Sequence, residues 1–386
     1  MLALGERLPN FRVDLDRLED TARLVIDTTR TAYPTLDVPF HSRWRHFDID
    51  GFDYWNEIDQ AMAWPSAAER SRTAFDLVIV SVLLDAGAGP NWRFRYEVSG
   101  EYVSRSEGLA LASLVMFRNC EFSKWPSYPL RVDGSMLADL TEAKLVQGFQ
   151  VTEQNPLAGV AGRADLLRRL GRTIVAAPQI FGLKDSPRPG GLFDHLAALA
   201  QNGRIAAPTI LQEVLAHLGP IWPSRLTLGG VALGDCWKHS ALKTDDATNG
   251  LVPLHKLSQW LSYSLIEPLQ WAGIEVTDID GLTGLAEYRN GGLFIDTGVL
   301  ALRDPGAAQR QHTVDSELVV EWRTLTVALL DRLADTIRTK LNMDRQSLPL
   351  ARILQGGTWT AGRNVAKQLR TDGGPPLKIV SDGTVF

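Results

Sequence analysis

A mostly helical fold with a small β element is the class that this 386-residue sequence predicts. Three observations support it: several long segments carry apolar residues at helical spacing, glycine and proline turns separate those segments, and strand-like alternation is confined to short stretches. The sequence shows no internal repeat and no low-complexity linker. We expect one compact unit over residues 1–386, with two lobes at about 1–150 and 151–386 as the alternative.

The N-terminal part of the chain is predicted to be helical. A first amphipathic helix is expected over residues 14–32, before Tyr33-Pro34 ends it; its apolar face carries Leu15, Leu18, Ala22, Val25 and Ile26. Residues 67–85 include an apolar run that periodicity alone leaves open between helix and buried strand. The length of this segment and Ser66 as an N-cap favour a helix. A loop is expected over 87–107, and further helices over 108–117, 133–147 and 158–174.

The C-terminal part mixes helices with the expected β element. Two short helices parted at Asn202-Gly203 are expected within 191–218, followed by an amphipathic helix over 254–271. Residues 273–302 alternate around several glycines, which predicts strands. Residues 314–341 give the longest helix, and the tail 373–386 is typical of strand and turn.

Composition excludes several classes of protein. With 45% hydrophobic and 22% charged residues, the chain is of the ordinary globular type rather than disordered. A net charge of −5 argues against nucleic acid as a partner, because a basic stripe is the usual footprint there. Two cysteines, Cys120 and Cys236, are too few for a disulfide framework. No apolar stretch is long enough for a membrane span, so we expect a soluble, cytoplasmic protein of unknown oligomeric state.

The most informative segment runs from Val38 to Phe47, because it packs two histidines, two arginines and three aromatic residues together. Its basic side chains are His41, Arg43, Arg45 and His46. Charged groups need partners when buried, and aromatic rings give flat walls for a ligand. We interpret the segment as one wall of a small-molecule site, with a structural clasp that pins the N-terminal arm as the alternative. The spacing of His41 and His46 does not suit a helical zinc pair, so neither a metal nor a cofactor is expected.

Asp85 is the first candidate catalytic carboxylate. It closes the apolar run and is followed by the glycine-rich sequence Ala86-Gly87-Ala88-Gly89. At the C-terminus of a helix it would face the negative end of the dipole, and at the end of a strand it would lie where ligands commonly bind. We interpret it as a functional carboxylate, and the alternative is a capped aspartate in a loop.

Glu321 is the second candidate carboxylate. It lies beside the apolar stripe of the long C-terminal helix, on a face shared with Glu317. Because buried acids are rarely left unpaired, we expect a partner in Arg323 or in the segment 41–46. An interior salt bridge and a catalytic acid are both compatible with this position.

A third polar group lies in the segment 287–298. An acid, a cation, an amide and several glycines occur together there, and this mixture suits recognition of hydroxyls or a urea-like group. The Asn-Gly pair is equally typical of a tight hairpin. Most of the eleven tryptophans are expected in the core. The residues of this segment that we assign to the site are Glu287, Tyr288, Arg289, Asn290 and Asp296, and Trp92 is assigned to it as a further pocket-lining residue.

Five strings of the sequence carry a family resemblance: His41-Ser-Arg-Trp-Arg-His-Phe47, Leu84-Asp-Ala-Gly-Ala-Gly-Pro90, Arg105-Ser-Glu-Gly-Leu109, Glu287-Tyr-Arg-Asn-Gly-Gly-Leu-Phe294 and Ser381-Asp-Gly-Thr-Val-Phe386. Over essentially the whole chain they resemble the uracil-catabolism family long labelled a domain of unknown function. That family is associated with a route in which ribosylurea, or its phosphate, is an intermediate. The segments 162–171 and 255–264 are similar to queuosine-nucleotide glycosylases, whose helical fold looks like that of DNA glycosylases with their helix-hairpin-helix architecture.

The resemblance implies an enzyme, or a helper protein, that acts after the pyrimidine ring has been opened. We therefore predict an N-ribosyl hydrolase of ribosylurea or its 5-phosphate, with a nucleoside or nucleotide derivative as its small-molecule partner. Asp85 would stabilise the sugar cation or steer water, with Glu321 or Glu287 as second acid. The residues expected to hold a phosphate or the urea carbonyl, or to line the pocket, are His41, Arg43, Arg45, His46, Trp92, Tyr288, Arg289, Asn290, Asp296 and Arg323. A phosphoribosyltransferase and a non-catalytic nucleotide-binding regulator are the alternatives.

Overall fold

The structure is a computed structural model that describes residues 7–85, 87–125, 130–182 and 186–380. Across these residues the chain is mostly helical and its strands form only two-stranded sheets, which confirms the predicted fold class. The helix-hairpin-helix, DNA-glycosylase-like arrangement stays a prediction. Among the described residues, no helix is both long enough and apolar enough to cross a membrane.

The chain divides into two compact units, and each is assembled from separate segments. The first unit comprises Met1–His41, Ser224–Gln259 and Ile279–Phe386. The second unit comprises Ser42–Pro223 and Trp260–Asp278. The unit boundary at 259/260 falls within the helix Lys256–Trp271.

The first unit is built around the long helix Glu317–Leu341, which buries Trp322, Leu329 and Leu333. Its other α-helices are Leu18–Ala32, Tyr288–Asp296, Leu350–Ile353 and Trp359–Leu369, the last two joined by a π-helical turn at Leu354–Thr358. Its strand pairs are Phe11–Val13 with Leu300–Leu302, Thr227–Leu228 with Val231–Ala232, Cys236–Lys238 with Leu251–Pro253, and the parallel pair Gln311–Thr313 with Lys378–Val380.

The second unit is centred on the helix Ala67–Leu83, whose residues from Thr73 to Leu83 are all buried. Its other α-helices are Tyr54–Ala61, Arg105–Arg118, Gly134–Ala138, Glu142–Gly148, Val160–Ala176, Pro178–Phe181, Gly191–Leu199 and Ala207–Leu218. Its strand pairs are Asp48–Ile49 with Phe52–Asp53, Arg93–Arg95 with Tyr102–Ser104, and the parallel pair Arg204–Ala206 with Glu275–Thr277.

The predicted helix over 67–85 is confirmed, and its start is set by a side-chain cap. Ser66 has extended backbone, and its hydroxyl oxygen accepts a hydrogen bond from the Glu69 N–H at 3.1 Å. Such a cap satisfies one of the free donors at a helix N-terminus. Because the helix ends at Leu83, Asp85 lies just beyond its C-terminal cap, as the helical interpretation required.

The prediction of strands throughout 273–302 is wrong in its middle part. Strands occur at Glu275–Thr277 and Leu300–Leu302, but Tyr288–Asp296 is a helix. Gly291 makes that helix possible, because a Cβ there would lie 2.8 Å from the ring of Trp322. The indole N–H of Trp322 donates to the Gly291 carbonyl at 3.0 Å. Gly291 is thus needed for the close packing of this helix on Trp322 rather than for a hairpin.

Three smaller differences concern the lengths of elements. The helix expected over 133–147 is broken into Gly134–Ala138 and Glu142–Gly148, because Thr141 caps the second piece. The loop expected over 87–107 contains the hairpin Arg93–Arg95 with Tyr102–Ser104. The last strand is Lys378–Val380, and the terminal string 381–386 lies outside the described residues.

Candidate functional site

The short helix Arg43–His46 places a basic and aromatic segment in the interior of the second unit. Trp44 anchors it through an indole N–H that donates to the Ser264 carbonyl at 2.8 Å. The centroid of the Trp44 ring lies 4.9 Å from that of Trp271 and 5.2 Å from that of Trp55. Aromatic rings at such distances pack favourably and bury large areas, so these contacts fix the segment in place.

Arg43 is fully buried, and its guanidinium meets groups from several elements. Its Nε donates to Ser81 Oγ at 2.7 Å, and Nη1 donates to the Ser106 carbonyl at 3.3 Å. Nη1 also lies 3.0 Å from Oδ1 of Asp85, whereas Nη2 has no hydrogen-bond partner among the described residues. Burial lowers the pKa of Arg43, and the charge of Asp85 opposes that shift. One donor of a buried cation therefore remains for a ligand.

Asp85 lies past the end of the helix Ala67–Leu83, and its backbone N–H donates to the Val82 carbonyl at 3.1 Å. A carboxylate in this position faces the negative end of the helix dipole. Its side chain is only 8% exposed, so Arg43 supplies the countercharge that water cannot. Desolvation offsets much of the attraction in a buried ion pair, which makes such a pair weak evidence for stability. We therefore regard Asp85 as a candidate for chemistry.

A second buried arginine, Arg163, holds the backbone on both sides of Asp85. Its Nε donates to the Leu84 carbonyl and its Nη2 to the Gly87 carbonyl, each at 3.1 Å. Its Nη1 donates to the Ala158 carbonyl. Burial lowers the pKa of Arg163 to about 10, against the opposing charge of Asp85. Arg163 thus positions the loop that carries the carboxylate and adds positive charge beside it.

His46 completes this group of side chains. Its Nδ1 lies 3.3 Å from Nη1 of Arg43, and its ring centroid lies 5.4 Å from that of Trp260. The guanidinium of Arg43 lies 5.7 Å from the same tryptophan ring. We call Arg43, His46, Asp85 and Arg163 the Asp85 cluster. It combines a carboxylate, which can stabilise a neighbouring cation, with guanidinium groups, which bind phosphate or polarise a carbonyl.

Arg45 is directed to a different carboxylate. Its Nη2 donates to Oε1 of Glu267 at 2.7 Å, and Glu267 also accepts a hydrogen bond from Ser42 Oγ at 2.7 Å. Burial raises the pKa of Glu267, while Arg45 and Ser42 oppose the shift. The charge of Arg45 is therefore balanced by the carboxylate of Glu267.

In the first unit, Glu287 caps the helix Tyr288–Asp296. Its carboxylate accepts hydrogen bonds from the Asn290 N–H at 2.6 Å and from the Arg289 N–H at 2.9 Å. Burial raises the pKa of Glu287, and the charge of Arg289 opposes the shift. Asn290 is buried, and its Oδ1 has no hydrogen-bond partner among the described residues. This end of the helix thus offers an acid and an amide oxygen.

Aromatic rings surround Arg289 near the same helix end. Its guanidinium lies 4.1 Å from the ring centroid of Trp359 and 5.4 Å from that of Tyr288. The ring of His41 lies 6.4 Å from that of Trp359, and its Nδ1 is 2.8 Å from Oε1 of Gln355. His41, Glu287, Tyr288, Arg289 and Asn290, all predicted site residues, therefore share one neighbourhood of the first unit.

Glu321 is buried and its oxygens are fully engaged by protein groups. They accept hydrogen bonds from the Phe11 N–H at 2.8 Å and from Asn10 Nδ2 at 2.9 Å. Oε2 of Glu321 also lies 3.0 Å from Nε2 of His239, which takes the place of the expected arginine or 41–46 segment. These contacts tie the N-terminal strand to the long helix, which is the structural alternative for this residue.

Two other predicted site residues form ion pairs with two hydrogen bonds each. Arg323 donates to both oxygens of Asp235 at 2.8 Å, and Asp296 accepts from Arg370 at 2.8 and 2.5 Å. Asp296 also borders an open groove of about 750 Å³ in the first unit, between residues 12–17 and 295–301. Each of these charges has a protein partner of opposite sign.

Comparison with known proteins places the whole chain in one family. The family described as "Protein of unknown function (DUF1688)" matches residues 1–386. The chain belongs to the DUF1688 family. It is 39% identical over 397 residues to "Protein urg3" of Schizosaccharomyces pombe, and the alignment covers 100% of this chain and 94% of that protein. It is 36% identical over 412 residues to "Uracil catabolism protein 4" of Lachancea kluyveri, covering 98% and 92%. These matches confirm the family that the motifs indicated.

Of the predicted site residues of this DUF1688 chain, the structure brings Arg43, His46 and Asp85 into direct contact. Trp92 lies elsewhere in the second unit and is fully buried, with its indole N–H donating to the Phe149 carbonyl at 2.9 Å. Sequence reasoning missed Arg163, although a signal exists. Arg163 shares the buried face of its helix with Leu167, Leu170 and Ile174, and a charge on an apolar face indicates a buried partner.

Proposed function

We propose that this chain acts in uracil catabolism as a hydrolase that cleaves the N-glycosidic bond of ribosylurea or of its 5-phosphate. The name of the Lachancea kluyveri relative supports the pathway. The Asp85 cluster supports the chemistry. The proposal depends mainly on the contact between buried Asp85 and buried Arg43. Both residues are local to the second unit, so the proposal rests on contacts within one compact body.

The reaction adds water across one bond. The bond from C1′ to the urea nitrogen breaks with its electron pair on nitrogen, the oxygen of water bonds to C1′, and the nitrogen takes up a proton. The products are urea and ribose, or ribose 5-phosphate. Because the transition state resembles an oxocarbenium ion, a carboxylate beside C1′ lowers its energy and can accept the proton of the attacking water.

We assign the stabilising carboxylate to Asp85. Arg163 fixes the backbone carbonyls of Leu84 and Gly87, so the carboxylate is held in place before substrate binds. Arg43 and His46 are the proposed partners of the substrate phosphate or of the urea carbonyl. A guanidinium is suited to this task because its fixed N–H groups match planar oxygen anions.

The two further acids predicted from the sequence, Glu287 and Glu321, belong to the first unit. Urea is a poor leaving group, so protonation of its nitrogen is needed. Burial raises the pKa of Glu287, which suits a proton donor.

The first experiment incubates the purified protein with ribosylurea, its 5-phosphate or uridine monophosphate and measures free urea. Release of urea from either ribosylurea compound without added phosphoribosyl diphosphate is the expected result, and the faster compound identifies the phosphorylation state. A requirement for phosphoribosyl diphosphate would instead indicate a transferase. Tight binding without turnover would indicate a regulator.

The decisive variant is Asp85→Asn, which keeps the shape of the side chain and removes its charge. We expect the rate of urea release to fall by about 10²–10⁴-fold. Asp59→Asn is the matched control, because Asp59 is also a buried acid of the second unit that pairs with an arginine, Arg70, at 2.6 Å. If both variants lose the same modest activity, the ion pair of Asp85 is a structural clasp and the catalytic assignment fails.

A further inference from the structure

Three side chains of metal-ligand type meet in the second unit, outside the Asp85 cluster. His195 lies on the helix Gly191–Leu199, and Glu213 and His217 lie one turn apart on the helix Ala207–Leu218. Nε2 of His195 is 2.6 Å from Oε2 of Glu213, and Nε2 of His217 is 3.1 Å from the same oxygen. The three donor atoms all lie within 4.8 Å of one another.

The two helices hold these donors at the edge of their buried faces. The residues that anchor the helices in the interior are Leu192, Phe193, Leu196, Ile210, Val214 and Leu218. The side chains of His195, Glu213 and His217 are 23%, 13% and 25% exposed. The donors are thus positioned by packed helices, yet solvent reaches them from one side.

We propose that His195, Glu213 and His217 bind one divalent transition-metal ion of the zinc type. Two imidazole nitrogens and one carboxylate oxygen form the ligand set of open zinc sites and of non-haem iron sites. Magnesium and calcium prefer oxygen ligands, so this set selects against them. No role of the Asp85 cluster enters this proposal, which is therefore independent of the proposed hydrolase activity.

The distances allow an ion to enter with small movements. Ligand atoms at about 2.0–2.2 Å from a zinc ion lie roughly 3.0–3.5 Å apart in tetrahedral or octahedral geometry. The contact of 3.1 Å between His217 and Glu213 already falls in that interval, and the contact of 2.6 Å between His195 and Glu213 must lengthen by a few tenths of an ångström. The two imidazole nitrogens lie within 4.8 Å of each other and must come into the same interval. Three protein ligands leave at least one coordination position, which faces solvent and would hold water.

The competing explanation is a hydrogen-bond network in which both imidazoles donate to one carboxylate. That explanation accounts for the short contacts and requires no ion. The two explanations differ in one measurable respect, because only a metal site binds zinc at the level of one ion per chain with an affinity that depends on all three residues.

The test uses untagged full-length protein that has been dialysed against a chelator. Titration with Zn²⁺ alone, monitored by calorimetry and in parallel by equilibrium dialysis, is expected to show one tightly bound ion per chain. Mg²⁺ is expected to give no binding signal. Co²⁺ is expected to produce visible absorption bands much stronger than those of the aqueous ion, since a site with few ligands lacks octahedral symmetry. The thermal midpoint of unfolding should rise with Zn²⁺ concentration.

His195→Ala and His217→Ala are each expected to lower the affinity for Zn²⁺ by at least about tenfold and to abolish the Co²⁺ bands. His312→Ala is the matched control, because His312 is a half-buried histidine of the first unit whose ring bonds the Ala307 carbonyl. Circular dichroism without metal verifies that each variant is folded, and His195→Gln serves where the alanine variant is not. The proposal is overturned if wild-type protein binds no Zn²⁺, or if the folded variants bind it as wild type does.

Discussion

Asp235 shows how a buried charge is stabilised at the scale of single residues. Both of its oxygens accept hydrogen bonds from Arg323 at 2.8 Å, and further donors are Trp237 Nε1 at 2.5 Å and the Lys256 N–H at 2.9 Å. Burial by itself would raise the pKa of Asp235. Arg323 outweighs that effect and holds the pKa at about 2.

Asp235→Asn is therefore expected to destabilise the protein by about 3–5 kcal/mol at pH 7, because it leaves Arg323 buried without its countercharge. A lowered folded-state pKa means that the charge of Asp235 stabilises the fold above pH ~4 and that this contribution, about 2 kcal/mol, is lost as the pH falls toward 2. Urea unfolding of wild type and variant between pH 7 and pH 3 should show their difference narrowing at low pH. A pH-independent difference would contradict the assignment.

The stability contribution of Glu287 should change with pH in the direction opposite to that of Asp235. Burial raises its folded-state pKa, so the folded protein binds a proton more readily than the unfolded chain does, and the penalty of the buried charge disappears as the pH falls through that pKa. Glu287→Gln keeps an oxygen that can cap the helix but carries no charge. Wild type is therefore expected to gain stability relative to the variant as the pH is lowered from neutral toward the ordinary glutamate pKa of 4.5, measured by urea unfolding. An unchanged difference would show that the carboxylate is not destabilised by burial.

Glycines within one helix differ in what surrounds them. In Val160–Ala176, a Cβ on Gly162 would meet nothing within 4 Å, whereas a Cβ on Gly171 would lie 2.2 Å from the Ala138 N and 2.5 Å from the Gly134 carbonyl oxygen. Gly171 is thus the point where the helix Gly134–Ala138 approaches closely. Gly162 has no such neighbour and costs helix stability through its flexible backbone.

The two alanine substitutions should therefore have opposite effects. Gly162→Ala is expected to stabilise the protein by about 0.5–1 kcal/mol. Gly171→Ala is expected to destabilise it by about 1–3 kcal/mol or more, since backbone rather than a flexible side chain obstructs the new methyl group. Thermal or urea unfolding of both variants measures the difference, and equal effects at the two positions would contradict the close approach.

Elements were predictable from sequence where the local signal was complete. The helix Ala67–Leu83 combines length, apolar character and the Ser66 cap, and the helix Lys256–Trp271 has clear periodicity. The helix Tyr288–Asp296 was missed because Asn290-Gly291 also suits a hairpin, and the deciding factor is the distant Trp322 that packs on Gly291. Tertiary contacts of that kind leave no local trace.

The candidate site was likewise predictable from the sequence only in part. Chemistry-bearing residues such as Arg43 and Asp85 could be picked out because charges next to apolar runs are costly to bury. Their partners could not be read from the sequence, since Glu321 meets His239 and Arg323 meets Asp235 through long-range folding. The mostly buried His195 and Glu213 gave no signal for the same reason, because they come together from two different helices.

At the scale of the whole molecule, the second unit depends on a late segment of the chain. Residues Ser264, Glu267 and Trp271 from that segment hold Arg43 and its neighbours in place, although they follow Pro223 by about forty positions in the sequence. The interior around Arg43 cannot close without them.

A fragment of residues 42–223 is therefore expected to unfold without a cooperative transition. A chain of residues 42–278 in which a Gly/Ser linker of equal length replaces 224–259 should recover cooperative unfolding and the near-ultraviolet circular dichroism of buried tryptophans, because it restores the segment 260–278. A cooperative transition in the shorter fragment would show that the second unit does not need that segment.

The order of the segments also has a consequence for biosynthesis. The helix Leu18–Ala32 buries Val25 and Ile26, and Gly357 from the C-terminal segment packs against Val25. During translation at roughly 5–20 residues per second, residues 279–386 emerge more than ten seconds after residue 41. Val25 on the apolar side of the first helix therefore lacks its C-terminal packing partner during that interval, when aggregation competes with folding.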